Sequence, residues 1–210
     1  MRKGRTGMVV LLVVLVVLLV VVAAVAVVLG VRARNAARQG ESGAGAPQDP
    51  FGTGDQDSLR GDPRALKAGD IVEIRSTTYT VRGSLRLDEG GWSWSEHLLD
   101  DSQGTQVWLA VEEDPDLILT MWTPVTGAGA PGEKAVEFDG RTYRSGESGS
   151  ANFRSEATTG LDDAGTVRYH DYESSDGALL GFESYGEAAW EATAGEKLGR
   201  YDVLIYPTAD

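Results

Sequence analysis

The chain of 210 residues contains 32 acidic and 19 basic side chains, which gives a formal net charge of −13 at pH 7. This charge disfavours nucleic acid and anionic lipid headgroups as partners, because both are recognised by basic patches. The sequence contains no cysteine, which excludes disulfide bonds, cysteine-ligated metals and thiol nucleophiles.

The N-terminal part contains an uncharged run of Val, Leu and Ala at residues 8–31, which follows a basic tail at residues 1–7. A helix of this length spans roughly 36 Å, which exceeds the roughly 30 Å thickness of a hydrocarbon core. A signal peptide is the alternative, but its apolar core usually has about 7–15 residues. The run therefore predicts a transmembrane helix, with the bilayer as a partner and a single-pass location in the cell membrane.

Residues 32–64 are rich in Gly, Ala, Gln, Asp, Ser and Pro, and their only large apolar side chains are Phe51 and Leu59. A segment of this composition cannot bury enough apolar surface to offset the entropy lost on ordering. We therefore expect a flexible tether between the predicted helix and the rest of the chain.

From Leu66 onward, short runs of alternating apolar and polar residues are separated by turn residues, at the spacing of about 8–12 residues that is typical of all-β domains. The pair Asp139-Gly140 between two runs is typical of a type I′ hairpin turn. The pattern predicts a mainly β domain, arranged as a sandwich, barrel or roll, with one helix candidate at residues 186–194. The strand candidates are residues 71–74, 78–81, 106–111, 117–122, 136–138, 141–143, 169–173, 179–183 and 201–206.

The β-rich part also contains two similar segments. Residues 72–79 (VEIRSTTY) align with residues 136–143 (VEFDGRTY), and residues 109–112 align with residues 180–183. Chance similarity between β-rich segments is the alternative. The alignment predicts a domain with two similar halves, whose bounds are residues 65–125 for the first half, 126–134 for a linker and 135–210 for the second half.

Several short motifs in this part consist of turn glycines, aromatic residues and acids. They lie at residues 69–72, 79–83, 94–99, 108–112, 169–172 and 181–185. In these motifs the sequence resembles the bacterial domain-of-unknown-function family 4178, over about residues 66–207. The resemblance implies no assigned activity and no established catalytic residues. Because some relatives lack an anchor, it also implies a cytoplasmic location for the domain.

Trp92 and Trp94 lie two residues apart, so on a strand their side chains share one face. Together with Tyr79 and Tyr172 they are candidates for lining a pocket that binds a sugar, a peptide or a polyamine, since aromatic faces attract cations. The alternative is that these rings fill a β core.

Glu112 and Glu183 occupy equivalent positions in the two similar segments, which makes them candidates for binding a ligand or for a catalytic pair. Two carboxyl groups about 5–10 Å apart perform glycoside hydrolysis. Acids on a solvated strand face give the same sequence pattern. Acids clustered in one deep pocket with raised pKa values would favour an enzyme, whereas acids scattered over solvent-facing strands would favour a binding module.

The two histidines, His97 and His170, both have acidic neighbours, but no metal-binding spacing such as HExxH occurs. Nucleophile elbows, phosphate loops and dinucleotide motifs do not occur either. We therefore predict no catalytic residues, no metal and no cofactor.

These features predict a protein that binds or scaffolds a protein partner or a small cationic ligand at the bacterial membrane, and that does not bind nucleic acid. Two alternatives stay open. One is a membrane-tethered hydrolase that uses paired carboxylates, and the other is a structural protein that faces the cell envelope.

Overall fold

Turn residues divide the chain into strands of very different length. The structure is a computed structural model and describes residues 60–208. Two short 3-10 helices in this range lie at Pro63–Ala65 and Arg200–Asp202. The prediction of a mainly β domain is confirmed. The strands of the described range are β1 (Ile71–Ile74), β2 (Thr77–Glu89), β3 (Trp92–Asp100), β4 (Gln106–Glu113), β5 (Leu117–Val125), β6 (Ala135–Phe138), β7 (Arg141–Ala157), β8 (Ala164–Ser174), β9 (Leu179–Tyr185), β10 (Glu191–Leu198) and β11 (Val203–Tyr206).

The described residues, 60–208, include no helix with the length and apolar character that a membrane crossing needs. The predicted fold class was a transmembrane helix followed by a β-rich domain of two similar halves. This finding corrects it to a mainly β fold. The predicted location, a single-pass membrane protein with a cytoplasmic domain, is corrected on the same finding. The physical reason is that the described backbone is mostly extended and paired in one sheet. These predictions were made for segments that lie outside the described residues, namely residues 1–7, residues 8–31 and most of the tether at 32–64.

Local turn chemistry explains the hairpin between β6 and β7. Asp139 and Gly140 have positive φ angles of 48° and 72°, as a type I′ turn requires. Phe138 and Arg141 on either side are directly paired. The predicted hairpin is therefore confirmed.

The helix candidate at residues 186–194 is wrong. Gly186 has a φ angle of +56°, outside the right-handed helical region, and Glu191 begins β10, which pairs with both β5 and β9. A helix at this position would leave the facing edges of β5 and β9 without hydrogen-bonding partners. The requirement to satisfy those backbone groups favours a strand.

Eight strands form a closed antiparallel sheet, in the order β2-β3-β4-β5-β10-β9-β8-β7, with β7 pairing back onto β2. The closing pairs run from Gly83 with Ala157 to Asp88 with Asn152. Gly83 also marks a register shift in β2. A Cβ atom at Gly83 would lie 2.6 Å from the backbone of Thr158, so only glycine permits the close approach of β2 and the end of β7.

Short strands add a second layer outside the closed sheet. β1 pairs with the start of β2 and with β11, and β6 pairs with the start of β7. Two apolar cores lie between these strands and the outer face of the closed sheet. The first outer core is built around Leu66, Val72, Ile74, Tyr79, Val81, Leu99, Val107, Leu109, Val111, Leu119, Val203 and Ile205. The second outer core is built around Ala128, Val136, Tyr143, Tyr172, Leu180 and Phe182.

The two halves of the described chain share one strand order. β1 to β5 and β6 to β10 each begin with a four-residue strand followed by a long strand. The aligned segments take the same register, because Val72 pairs with Tyr79 and Val136 pairs with Tyr143. The residue bounds given for the two halves stay a prediction.

His97 is a buried polar residue of the outer face of β3. Its Nδ1 atom lies 2.8 Å from the Ser84 hydroxyl on β2, and its Nε2 atom has no partner among the described residues. Burial, together with the nearby Arg86 charge, lowers the pKa of His97 to about 3. His97 is therefore neutral at physiological pH and belongs to the packing of the sheet.

Candidate functional site

The inner face of the closed sheet follows from the strand register, because directly paired residues point to the same side of a sheet. Leu85 pairs with Glu96, Glu96 with Ala110, and Ala110 with Thr120. These four side chains therefore share the inner face, whereas the alternate residues of the same strands enter the first outer core. Part of the interior is filled by a third apolar cluster, formed by Leu85, Leu87, Ala151, Phe153 and Val167.

The rest of the interior contains a cavity of about 140 Å³. Side chains from seven of the eight strands of the closed sheet reach it. Trp92 at its edge is 40% exposed, so the cavity is accessible from solvent on that side. Its lining contains five carboxyl groups and five aromatic rings, and none of the described lining residues is Lys, Arg or His. The lining residues are Trp92, Trp94, Glu96, Trp108, Ala110, Glu112, Thr120, Trp122, Glu147, Tyr169, Asp171, Gly181, Glu183 and Thr193.

Two glycines position the Trp122 ring at one wall of the cavity. A Cβ atom at Gly195, the direct partner of Trp122 on β10, would overlap this ring. A Cβ atom at Gly181 on β9 would lie 3.1 Å from its Cζ3 atom. The missing side chains therefore make room for the indole to lie over the backbone of two neighbouring strands.

Three of the cavity carboxyl groups accept hydrogen bonds from aromatic side chains. The indole N–H of Trp94 donates to Oε1 of Glu96 at 3.0 Å, and that of Trp92 donates to Oε1 of Glu112 at 3.1 Å. The hydroxyl of Tyr185 donates to Oε2 of Glu183 at 2.9 Å. Each bond uses one of the two carboxyl oxygens. No other group among residues 60–208 donates a hydrogen bond to these three carboxyl groups, so the second oxygen of each can accept one from a ligand.

The environment of the cavity raises the pKa of its acids. Burial raises the pKa of Asp171 to about 7, and the negative charges of Glu183, Glu147 and Glu112 add to this effect. Burial also raises the pKa of Glu96 and of Glu183, and each carboxyl group is further destabilised as an anion by a neighbouring acid. The pKa of Glu112 is raised by burial as well, and the Trp92 hydrogen bond opposes the rise.

The structure brings four of the six predicted ligand-binding residues together. Trp92, Trp94, Glu112 and Glu183 all line the cavity. Tyr79 lies in the first outer core. Tyr172 lies in the second, where its hydroxyl accepts a hydrogen bond from the Gly132 N–H and donates one to the Glu133 carbonyl.

Sequence reasoning missed several cavity residues, of which Glu96, Trp122 and Asp171 matter most. Glu96 shares one strand face with Trp92 and Trp94 at two-residue spacing, so the same alternation could have identified it. Asp171 follows His170 directly in the sequence, and no pattern of neighbouring residues marks it as a cavity residue. The structure places His170 elsewhere, with Nε2 at 2.8 Å from the Ser145 hydroxyl and its ring stacked on Tyr172.

Comparisons with known proteins identify a family model and relatives that are similar to this chain. A family model described as "Domain of unknown function (DUF4178)" matches residues 67–200, which confirms the resemblance seen in the sequence motifs. The uncharacterized proteins Rv2597 of Mycobacterium tuberculosis (strain ATCC 25618 / H37Rv) and Mb2628 of Mycobacterium bovis (strain ATCC BAA-935 / AF2122/97) are each 37% identical over 153 residues, which cover 69% of this chain and 73% of the relative. No solved structure matches the chain.

Proposed function

Since the chain belongs to the DUF4178 family, whose description assigns no activity, we propose that the interior cavity of this protein binds a small organic cation. One observation carries the proposal. Five carboxyl groups line a single cavity whose described lining includes no positively charged side chain. A bound cation would supply the missing positive charge.

Electrostatics favours a cation in this position. Carboxylates that face one another across a partly buried cavity repel, and the repulsion is stronger than in water because the local dielectric constant is lower. Burial is the largest cause of the raised pKa values of Asp171, Glu96 and Glu183, and repulsion by neighbouring acids adds to it. A cation between these groups would favour their ionised forms.

The aromatic walls support the same ligand chemistry. The rings of Trp92, Trp94, Trp108, Trp122 and Tyr169 surround the acids. An indole face attracts a cation, an effect that is worth about 0.5–2 kcal/mol and is larger where water is excluded. The rings also offer apolar contact to the hydrocarbon part of an organic cation. A hydrated inorganic ion would make no use of these contacts.

The first test is calorimetric titration of the full chain with n-butylammonium at pH 8, with 1-butanol as the neutral analogue. We expect saturable binding of one butylammonium per chain and no binding of 1-butanol. Glu183→Gln is expected to weaken butylammonium binding about tenfold or more, because it removes a carboxylate that faces the cation.

Glu173→Gln is the matched control, since Glu173 is an exposed acid that pairs with Lys197 at 3.5 Å. This variant loses the same charge outside the cavity lining, and its affinity should stay within about twofold of the wild type. Equal weakening by both variants would mean that overall charge is responsible. Equal binding of butylammonium and butanol would contradict the proposal.

The same cavity supports a second candidate, a hydrolase that uses paired carboxylates. The observation in its favour is that Glu112 and Glu183 line one cavity and both have raised pKa values, which is the arrangement expected of an enzyme. Hydrolysis of p-nitrophenyl glycosides by the wild type, abolished in Glu183→Gln and retained in Glu173→Gln, would establish it. We place cation binding first because glycoside hydrolysis needs only two acids, whereas this lining concentrates five.

A further inference from the structure

Asp171 differs from three other acids of the cavity in its hydrogen bonding. Glu96, Glu112 and Glu183 each accept a bond from an aromatic donor. Within residues 60–208, no group donates a hydrogen bond to the Asp171 carboxyl, and the interactions that act on it are burial and the charges of other acids. Asp171 is partly exposed, so water or a ligand in the cavity must supply the hydrogen-bond donors for its carboxyl group.

The strand opposite Asp171 leaves its carboxyl group uncovered. Asp171 on β8 pairs directly with Gly181 on β9. A Cβ atom at Gly181 would lie 3.3 Å from Oδ1 of Asp171, so any larger residue would crowd this oxygen. The absence of a side chain at position 181 thus makes Asp171 accessible from the cavity.

We propose that the cavity selects a primary alkylammonium group over a fully methylated one, and that Asp171 is the specificity-determining acceptor of its N–H groups. This inference rests on the proposed cation-binding function and names the chemistry of the cation. The acceptors of the ligand are the carboxyl group of Asp171 and the free oxygens of Glu96 and Glu183.

The count of donors and acceptors supports a primary ammonium. An ammonium group carries three N–H donors and no acceptor. Asp171, Glu96 and Glu183 lie close enough that their charges act on one another, and each has an oxygen that can accept one of these N–H groups. Hydrogen bonds between ions of opposite charge are about twice as strong as neutral ones. A trimethylammonium group would satisfy none of these oxygens. It would keep the charge attraction of the carboxylates and of the rings, which acts on both cations, so the N–H hydrogen bonds of the primary ammonium distinguish the two.

The aromatic walls account for the alkyl part of the ligand. Trp108 and Trp122 are directly paired on β4 and β5, and both line the cavity from the inner face. An alkyl chain next to these rings removes apolar surface from water, as the stem of a lysine side chain does when its charged end reaches a polar group. A short unbranched alkylammonium thus uses both kinds of lining residue.

The test compares n-butylammonium with n-butyltrimethylammonium by calorimetry, using the full chain at pH 8. We expect the primary ammonium to bind about 10- to 100-fold more tightly. Asp171→Asn is expected to reduce this preference to about threefold or less by weakening the primary ammonium selectively. Glu173→Gln, an exposed acid of the same strand, is expected to keep the preference unchanged.

The outcomes separate this inference from the function on which it rests. Equal or tighter binding of the trimethylated cation would overturn the inference and leave cation binding intact. An unchanged preference in Asp171→Asn would overturn the role of Asp171. Failure of both cations to bind would overturn the proposed function as well.

The ammonium could belong to a free amine or to a lysine side chain of another protein, and a third titration distinguishes these sources. The probe is N-acetyl-lysine amide, which carries the same ammonium on a blocked backbone. Tighter binding of butylammonium would support a free amine as the ligand. Tighter binding of the blocked lysine would support a lysine side chain.

Discussion

Replacing Asp70 by alanine is expected to lower the free energy of unfolding by about 3–4 kcal/mol. The Asp70 carboxyl is 2% exposed and accepts hydrogen bonds from the backbone N–H groups of Lys67 and Thr208, at 3.0 and 2.9 Å. It also accepts bonds from the Thr208 hydroxyl and the Lys67 ammonium. Asp70 therefore links residues near the two ends of the described range. Alanine at this position would leave these donors without their hydrogen-bond acceptor.

The pH dependence of this contribution follows from the hydrogen bonds. Burial alone would raise the pKa of Asp70, but the bonds from Thr208 and Lys67 outweigh it and lower the pKa. A lowered pKa in the folded state means that the contribution is present above the unfolded pKa of about 3.9 and is lost as the pH falls through the folded value. The difference in stability between the wild type and Asp70→Ala should therefore be large at pH 7 and shrink in acid.

Urea unfolding followed by tryptophan fluorescence measures this effect, with Asp101→Ala as the matched control. Asp101 also accepts two backbone N–H bonds, from Gln103 and Thr105, but it does so in the exposed turn between β3 and β4. We expect a much smaller loss of stability in the control. Similar losses in the two variants would show that burial of the Asp70 bonds contributes little.

Replacing Gly195 by alanine is expected to weaken butylammonium binding about tenfold or more and to cost about 1–3 kcal/mol of stability, because it overpacks the interior. The added Cβ atom would overlap the ring of Trp122, so the indole must move away from β10. Since that ring forms one wall of the cavity, its displacement changes the shape of the binding site.

Gly199→Ala is the matched control for this substitution. Gly199 has an extended conformation with φ −73° and ψ 153°, and an added Cβ atom would meet only the side chain of Asp202, with Oδ2 at 3.4 Å. Butylammonium binding and the fluorescence spectrum should therefore match those of the wild type. Unchanged binding in Gly195→Ala would show that the position of the Trp122 ring is not needed for the ligand.

The β content was predictable because it depends on local patterns. Alternating residues and turn pairs such as Asp139-Gly140 report the conformation of a few consecutive residues. Closure of the sheet depends on pairing of β2 with β7 and of β5 with β10, strands that are far apart in the chain. Neither pairing has a local sequence signal, so the interior cavity could not be predicted as a whole.

Tyr79 shows why face assignment fails along an interrupted strand. Tyr79 would share a face with Leu85 on a regular strand, but the register shift between Val81 and Gly83 reverses the alternation. Tyr79 therefore points into the first outer core, whereas Leu85 points into the interior. Alternation identifies which residues share a face only within an uninterrupted stretch.

The acids were harder to assign than the tryptophans. Asp171 and Tyr172 are adjacent in β8, so they point to opposite sides of the sheet, and the sequence gives no indication which side is the interior. Trp92 and Trp94 are predictable as a pair because residues two apart on a strand share one face. Glu183 was found only through the similarity between the two segments, which matches it to Glu112.

The most direct test of cation binding in the cavity is a titration of the ¹⁵N-labelled full chain with n-butylammonium, observed through the five tryptophan indole N–H signals in ¹H–¹⁵N spectra. Trp92, Trp94, Trp108 and Trp122 line the cavity, whereas Trp190 packs against the second outer core, so it provides an internal control. Single Trp→Phe variants assign the signals. We predict that the four cavity signals shift along one saturable curve while the Trp190 signal stays in place. Unchanged cavity signals at saturating butylammonium, or a shift of the Trp190 signal alone, would contradict the account.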